Sequence, residues 1–581
     1  MRARWLLSFV AGPGASVGLA YLVLVLISLP GLVEVPGIRF MALGLVGALI
    51  SISAAQHPIE PLALRVGAAT TFGFLIASEA IGISFGQAPV RLTTMGAAAA
   101  VAVVGPRLLD PVTKRLPRSL VAVGLGLVAL VLIRIVIESG QLGHDEAAYA
   151  LKARAWLFGT PDTGWDLHRG VGQSAIAAAV LPFSQSPLAL RGVAVVFALG
   201  TVVALWALGR EVGSSGVGLL AAGTLAVAPT FLRRGAEFLT DLPSAGLLFV
   251  VALLVWRWLE QTTPSGRLLY AATGIAAIAY YIRYQSILSL GLLALAAAAA
   301  YWPRVRDRIP QLARAVLLGV LLLVPHFAHS VFATGTPWGI LLDTAGAGGR
   351  EYLGEGLVDY ARDLPDLLAG QAGALLLLVG LGWGLWCLTE PVHRARAVFL
   401  LVPAIGQFVL LGLLSHGEPR FVFFPVGLLL VAGALAVDQL RMRLPLWTYQ
   451  AGVWIAAFTL LGSLAFHGQR FDTNAEARGE SLEVLVQVAE AVAAESGERC
   501  AIVTGMLPQM TWLSGCETRL FPREPRLPFS DDVPSYLLFV DEGPRQPEGD
   551  RLEGFLALAE GEPIEIPGTG RLGSAQLWRV R

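Results

Sequence analysis

Long apolar runs recur along most of this chain and constrain its fold more than any other feature. A membrane-spanning helix needs roughly 20 mostly apolar residues, and about fifteen runs in the sequence approach that length. They lie near 15–33, 38–55, 66–86, 91–105, 119–138, 188–208, 214–230, 242–259, 267–282, 286–302, 312–331, 369–389, 396–414, 421–437 and 447–466. The sequence therefore predicts a polytopic α-helical membrane protein.

The charge content supports this prediction. Charged residues make up 14% of the 581 residues, whereas soluble domains carry about 25%. The 42 basic residues equal the 42 acidic ones, so no basic excess is available to bind a nucleic-acid backbone. A secreted soluble enzyme, a disordered scaffold and a disulfide-rich mini-domain are excluded as well.

Basic residues near the apolar runs predict the orientation. Arg2 and Arg4 place the N-terminus in the cytoplasm by the positive-inside rule. Counting spans forward puts the C-terminus outside the cytoplasm. We expect the membrane to be the inner membrane of a bacterium. Strict alternation of fifteen spans cannot place every arginine-rich loop inside, so at least one short run is miscounted. Segments 139–188, 333–369 and 468–581 then lie on the outer face, where we expect the chemistry.

The chain divides by composition into three parts. Residues 1–118 hold four additional N-terminal spans, 119–467 form a membrane core, and 468–581 form a small outer α/β domain. In this last part, 479–490 and 551–560 have helical patterns, and 499–505 and 535–541 have strand patterns. Cys500 and Cys516 form either a disulfide or two buried thiols.

The first outer segment opens with adjacent carboxylates, Asp145 and Glu146, at the start of a predicted helix. Asp145, Tyr149 and Lys152 share one face of that helix by their spacing. Ionised groups near the headgroup boundary are costly without a role, which favours a functional site. The alternative is helix capping, because acidic residues in a first turn complement the helix dipole.

A second outer cluster precedes the span that begins near Pro243. Asp241 lies at the start of this span, and Arg233, Arg234 and Glu237 lie just before it. The two arginines break the positive-inside pattern, which an anionic ligand such as a lipid-linked phosphate would explain. The alternative is contact with lipid headgroups.

Two further polar clusters lie at predicted outer ends of spans. One contains Arg283 and Tyr284, and the other contains His416, Glu418 and Arg420. An arginine among tyrosines suits a phosphate or sugar pocket, although an aromatic belt with a snorkelling arginine is the alternative. The four clusters are far apart in sequence but predicted at one depth. A transporter would instead bury its carboxylates near the middle of the membrane.

Four short motifs resemble those of GT-C fold membrane glycosyltransferases. The chain is most similar to glycosyltransferase family 39 and the lipid A aminoarabinose transferases, a group that includes the protein O-mannosyltransferases. The motifs that carry the resemblance are His144-Asp-Glu-Ala-Ala-Tyr149, Thr240-Asp-Leu-Pro243, Phe332-Ala-Thr-Gly-Thr-Pro337 and Ser415–Phe421. The resemblance covers about 119–470, and the four N-terminal spans depart from it.

The resemblance implies transfer of a sugar, with inversion, from a polyprenyl phosphate to an acceptor hydroxyl on the outer face. Asp145 would be the general base, Glu146 would orient the acceptor or a metal, and Asp241 would be a second acidic site residue. The donor phosphate would bind among basic and polar residues of the clusters. The candidates for donor or substrate binding are Tyr149, Lys152, Arg233, Arg234, Glu237, Arg283, Tyr284, His416, Glu418 and Arg420.

The metal, the acceptor and two other functions stay open at this point. One option is that a divalent cation, Mg²⁺ or Mn²⁺, binds to Asp145, Glu146 and Asp241 and stabilises the charge that develops on the leaving phosphate. The acceptor would be a glycan, lipid or protein of the cell envelope. The alternative functions are a lipid or polysaccharide transporter or flippase, and a non-catalytic glycan-binding membrane subunit.

Overall fold

The computed structural model describes residues 118–580 apart from 164, 263–264, 347–348, 442–445, 497–498 and 530–532. The four N-terminal spans expected between residues 15 and 105 lie outside the described residues. Arg2 and Arg4, on which the predicted orientation depends, lie outside them as well.

The described part of the apolar region is almost entirely helical. Its first helices are α1 (Arg118–Glu138), α2 (His144–Phe158), α3 (Val171–Val180), α4 (Pro187–Val212), α5 (Ser215–Ala226), α6 (Pro229–Gly235), α7 (Asp241–Glu260), α8 (Gly266–Ile282), α9 (Ser286–Arg306) and α10 (Ile309–Thr334). The next are α11 (Gly339–Gly346), α12 (Glu355–Asp363), α13 (Gly370–Cys387), α14 (Pro391–Leu414), α15 (Phe423–Arg441) and α16 (Leu446–Glu495). A π-helical turn (Leu364–Leu368) precedes α13, and a 3₁₀ turn (Pro419–Val422) precedes α15.

The apolar runs predicted after residue 118 fall on these helices, but the run 214–230 is divided between α5 and α6 and the run 421–437 begins in the 3₁₀ turn before α15. Within the described residues, six helical segments are long and apolar enough to cross a membrane. They are Pro187–Val212, Asp241–Glu260, Ser286–Arg306, Ile309–Thr334, Pro391–Leu414 and Pro419–Gln439. A seventh candidate combines α5 and α6, which meet at 70°. The predicted total of about fifteen spans is not confirmed.

Close packing of α4 against α7 positions the start of α7. The Thr201 hydroxyl on α4 donates to the Leu242 carbonyl at 2.9 Å. A Cβ on Gly246 would lie 2.6 Å from the Thr201 Oγ1 atom, so glycine is needed for this approach. The contact fixes the first turn of α7, where Asp241 lies.

The C-terminal part is a small α/β domain, as predicted. Its elements are β1 (Ala501–Thr504), α17 (Leu507–Ser514), β2 (Glu517–Arg519), β3 (Ser535–Val540), α18 (Asp550–Leu556), β4 (Ala559–Ile566) and β5 (Ala575–Val580). The strand order is β2-β1-β3-β5-β4, with β2, β1 and β3 parallel and β5 antiparallel to β3 and β4. The helix predicted over 551–560 ends at Leu556, because Ala559 and Glu560 begin β4.

One helix joins the membrane core to this domain. The 50-residue α16 continues through residue 468, where the sequence suggested a boundary. Its apolar residues Leu485, Val488 and Val492 are buried against the sheet, together with Ile502 of β1. The domain is therefore held to the core by continuous helical backbone.

The structure contains a disulfide between Cys500 and Cys516. These residues directly precede β1 and β2, which pair in parallel with Ala501 opposite Glu517. The bond therefore fastens the edge strand β2 to the neighbouring strand β1.

We expect removal of this disulfide to destabilise the C-terminal domain. The bond closes a loop of sequence separation 16, for which the loop-entropy model gives about 3 kcal/mol. A double Cys500→Ser, Cys516→Ser variant should unfold at lower temperature and become more sensitive to proteolysis in this domain. The matched control is Cys387→Ser, which removes the free buried thiol of α13. Equal domain proteolysis of the wild type and the double variant would contradict the prediction.

Candidate functional site

Asp145 and Glu146 begin α2 but point in different directions. Successive residues of a helix are about 100° apart around its axis. The Glu146 carboxylate accepts from the Gly143 backbone N–H at 2.8 Å and so caps the helix. The Asp145 side chain keeps 30% of its surface exposed and contacts arginines from other segments. Capping therefore explains one of the two carboxylates.

Glu146 is buried and fully hydrogen-bonded. The Arg191 Nε and Nη2 atoms donate to its two oxygens at 2.9 Å each. The Phe238 backbone N–H donates at 2.9 Å and the Arg478 Nη2 at 3.0 Å. A carboxylate has about four acceptor positions, and these donors together with the Gly143 N–H occupy them. Glu146 is thus held as a structural anion.

Arginines also control the charge of Glu146. Burial alone would raise the pKa of Glu146, but the guanidinium groups of Arg191 and Arg478 hold this pKa well below its usual range. Arg191 is itself completely buried and also donates to the carbonyls of Gly140 and Gln141 at 2.8 Å. The pair is therefore ionised and internally satisfied.

Asp145 lies between two arginines. The Arg169 Nη1 donates to one carboxylate oxygen at 2.9 Å, and the Arg420 Nη1 donates to the other at 3.0 Å. Burial would raise the pKa of Asp145, but Arg169 and Arg420 outweigh this effect and hold the pKa far below its usual range. Asp145 is therefore held as an ionised carboxylate.

A cleft opens beside this carboxylate at the start of α7. Asp241 is buried there and accepts a hydrogen bond from Arg283, which also stacks 4.7 Å from the centre of the Phe421 ring. The space in and in front of this cleft, open solvent included, is about 310 Å³. Its polar lining consists of Asp241, Ser244, Arg283, Gln285, Ser286, Ser289, Gln407 and Arg420.

A continuous chain of ion pairs connects the cleft to the buried Glu146. In order, its members are Arg169, Asp145, Arg420, Glu418, Arg234, Glu237, Arg478, Glu146 and Arg191, with every link between 2.6 and 3.0 Å. Burial would raise the pKa of Glu237, but Arg234 and Arg478 lower it. Three of the predicted clusters thus meet directly in this ion-pair chain.

The remaining predicted residues lie at varying positions around the ion-pair chain. Tyr149 is buried on α2, with Arg169 5.7 Å from its ring centre. Lys152 donates to Asp162 at 2.6 Å, and Arg233 is largely exposed, 3.9 Å from Glu237.

Two other predicted residues lie at the edges of this region. Tyr284 packs against Tyr280 and His326 in a separate aromatic cluster. His416 is partly exposed, with its Nε2 3.8 Å from Glu418.

Sequence reasoning missed three arginines of the ion-pair chain. Arg169 lies in the loop after α2, Arg191 lies inside α4, and Arg478 lies in α16. An arginine within an apolar run, as at position 191, implies an internal partner because a lone buried charge is costly. No comparable local signal marks Arg169 or Arg478.

The carboxylates suggested for a metal do not form a metal site. Among the described residues, no three His, Cys, Asp or Glu side chains are grouped closely enough to hold an ion. Asp145, Glu146 and Asp241 are each engaged by arginine. We therefore derive no step through a divalent cation.

One comparison of sequence relates part of this chain to a known family. The family model for dolichyl-phosphate-mannose-protein mannosyltransferase matches residues 173–329. This is about a quarter of the chain and includes Arg191, Asp241 and Arg283, but it begins after Asp145. No curated protein sequence matches the chain significantly.

Solved structures give a broader match. ArnT from Cupriavidus metallidurans bound to undecaprenyl phosphate aligns with a TM-score of 0.59 and 14% identity, over 80% of this chain and 98% of that one. The same enzyme in the apo state gives a TM-score of 0.56 and 14% identity, over 78% and 97%. The chain has the GT-C fold. This confirms the fold implied by the sequence motifs, and with its apolar helices the GT-C chain is an integral membrane protein.

We expect the neighbouring carboxylates of this GT-C chain to differ in their effect on stability. Glu146→Gln leaves Arg191 buried without its counter-ion, which costs about 3–5 kcal/mol for a broken buried pair. Asp145→Asn alters a partly exposed pair and should cost about 1 kcal/mol or less. Thermal unfolding of the purified proteins in detergent measures the difference. Equal unfolding temperatures for the two variants would contradict this assignment of Glu146.

Proposed function

We propose that this chain is a membrane glycosyltransferase that moves a sugar from a polyprenyl-phosphate donor to an acceptor hydroxyl. The observation that carries the proposal is the contact of Asp145 with Arg420, which lines the cleft together with Arg283. A partly exposed carboxylate thus lies next to two guanidinium groups that face one cavity, which would provide a base beside an anion site. The match to an ArnT structure bound to undecaprenyl phosphate supports a donor of this class.

The donor phosphate would bind to Arg283 and Arg420. Guanidinium groups bind phosphate through paired N–H donors, and both arginines line the cleft. Their present partners, Asp241 and Asp145, keep them oriented. Binding energy for the donor would therefore come from preorganised charge rather than from new ordering of side chains.

The transfer step would follow from this arrangement. The acceptor oxygen attacks the anomeric carbon as its proton passes to the Asp145 carboxylate. The bond between the anomeric carbon and the phosphate oxygen breaks, and the phosphate keeps the electron pair. Arg283 and Arg420 stabilise this negative charge. A single displacement of this kind inverts the anomeric configuration.

Several features support an outer location for this chemistry. The Cys500–Cys516 disulfide is typical of an oxidising compartment, and the domain that carries it packs beside Asp145. We therefore propose that the cleft and the C-terminal domain face away from the cytoplasm of a bacterial inner membrane, with the N-terminus inside. The acceptor would be a glycan, lipid or protein of the cell envelope.

The first test compares the wild type with Asp145→Asn on a panel of radiolabelled polyprenyl-phosphate sugars and membrane extract. The amide keeps the shape of the side chain but cannot take the proton, so transfer should fall by about 10²-fold or more. The matched control is Asp166→Asn, which alters an exposed carboxylate 3.6 Å from the same Arg169. If no donor is consumed, or if Asp145→Asn matches the wild type, the transferase proposal is wrong and a transporter becomes the better hypothesis.

The pH dependence of transfer should reflect the lowering of the Asp145 pKa by the neighbouring arginines. The ionised carboxylate is the active base. Its lowered pKa keeps it ionised even at pH values well below 3.9, which is about the usual pKa of aspartate. This group should therefore cause no loss of kcat/KM between about pH 8 and pH 5. Arg169→Gln removes one cation, raises the pKa of Asp145, and should move the acid limb of the profile to higher pH.

Arg519→Gln provides the control for this profile, because Arg519 is exposed and pairs with Glu517 in the C-terminal domain. It should leave the acid limb unchanged. An acid limb that stays at the same pH in Arg169→Gln would show that Asp145 is not the titrating base.

A further inference from the structure

Both arginines of the cleft contact one aromatic ring. The guanidinium carbon of Arg283 lies 4.7 Å from the centre of the Phe421 ring, and that of Arg420 lies 5.6 Å from it. Both distances are within the roughly 6 Å over which the face of a ring attracts a cation. All three side chains line the cleft and each is only partly buried, which leaves part of each open to a ligand there.

The two arginines come from distant parts of the chain and carry the same charge. Arg283 directly follows α8, and Arg420 lies in the 3₁₀ turn before α15. Like charges that share a cavity repel each other, and each arginine is also drawn toward a carboxylate of its own. The face of an aromatic ring opposes this separation, because its negative quadrupole attracts both cations to one place.

The ring attracts the cations without using their N–H groups. A guanidinium has five N–H donors. Arg283 donates from Nη1 to Asp241, and from Nη2 to Gln285 at 2.7 Å. Arg420 donates from Nη1 to Asp145 at 3.0 Å. Another carboxylate in place of the ring would compete with a bound phosphate for the remaining donors, whereas a phenyl ring does not.

The backbone of Phe421 is held on both sides. Its N–H donates to the Glu418 carbonyl at 3.0 Å, within the turn that carries Arg420. Its carbonyl accepts from the Gln407 Nε2 of α14 at 3.4 Å, and the Gln407 Oε1 accepts from Ser289 of α9 at 2.7 Å. The ring therefore extends from a backbone that is tied to two helices of the membrane core.

We propose that Phe421 is a positioning residue that holds Arg283 and Arg420 side by side as one two-point anion site. This inference rests on the proposed transferase function, because the anion would be the phosphate of the donor. Phe421 makes no hydrogen bond to that phosphate and acts through the two cations. Its removal should therefore weaken the binding of the phosphate group and leave contacts with the rest of a lipid unchanged.

The first experiment separates phosphate binding from lipid binding. Farnesyl phosphate and farnesol share one isoprenoid chain, and titration calorimetry measures the affinity of each for the full-length protein in detergent. Phe421→Leu should weaken the binding of farnesyl phosphate about fivefold or more, because two cation–π contacts are lost, and leave the binding of farnesol unchanged. Phe421→Tyr keeps the ring and should bind both compounds as the wild type does.

Phe408→Leu is the matched control for this experiment. Phe408 lies on α14, where its ring centre is 5.6 Å from that of Tyr360, and its replacement should change neither affinity. The unfolding temperature of each variant is first compared with that of the wild type. If Phe421→Leu does not fold, Phe421→Met takes its place, because a methionine side chain adapts to the space left by the ring.

A double-mutant cycle tests whether the ring acts through the arginines. In the Arg283→Gln background, Phe421→Leu should weaken the binding of farnesyl phosphate less than it does in the wild type, since one of the two positioned cations is gone. Equal effects in the two backgrounds would overturn the inference.

The remaining outcomes distinguish this inference from the transferase proposal. With a donor that the wild type turns over, Phe421→Leu should raise the donor KM about fivefold or more and leave the acceptor KM unchanged. An unchanged donor KM, or an equal loss of farnesyl phosphate and farnesol binding, would overturn the positioning role and keep the transferase. If the wild type binds farnesyl phosphate no more tightly than farnesol, the cleft is not an anion site, and the proposed donor site fails together with this inference.

Discussion

The buried ion pair between Glu146 and Arg191 is the interaction on which the candidate site depends. Two charges removed from water are stable only when their remaining hydrogen-bonding positions are filled. Here the turn 140–143 between α1 and α2, the segment before α7 and helix α16 all supply groups to this pair. Since Arg191 itself lies in α4, the requirement to satisfy one buried pair brings four segments together: the start of α2, α4, the segment before α7 and α16. Asp145 and Arg478 lie in these segments, and Asp241 lies just after the third of them.

The two adjacent carboxylates have different roles, a structural one for Glu146 and the proposed chemical one for Asp145. Glu146 points into the protein and holds the segments together, while Asp145, turned by about 100°, contacts Arg169 and Arg420. The two are also connected through the ion-pair chain, although their side chains lie at different places along it. Removal of one charge takes a partner away from each neighbouring member of the chain. The low pKa of Asp145 is thus a property of the whole arrangement and not of the Asp-Glu motif alone.

Much of the fold could be predicted from the sequence because apolar length and strand patterning are local signals. The runs near 188–208 and 242–259 correspond to α4 and α7, and the strand pattern over 535–541 corresponds to β3. The clusters around Arg234, Asp241 and Arg420 could be found because charge at the end of an apolar run is also local. Arg169 and Arg478 could not, since their importance comes from contacts with residues far away in sequence. The π-turn before α13 and the bend between α5 and α6 depend likewise on tertiary packing.

Helix α16 explains how a soluble-looking domain can take part in chemistry at a membrane boundary. Arg478 lies in this helix and donates to both Glu146 and Glu237, so the helix that leads into the C-terminal domain is attached to the ion-pair chain. A second attachment joins Arg154 of α2 to Trp512 of α17. Two attachments restrict rotation of the domain more than one would. The domain is therefore held beside α2 by Arg478, which also pairs with Glu146 and Glu237, and by Arg154.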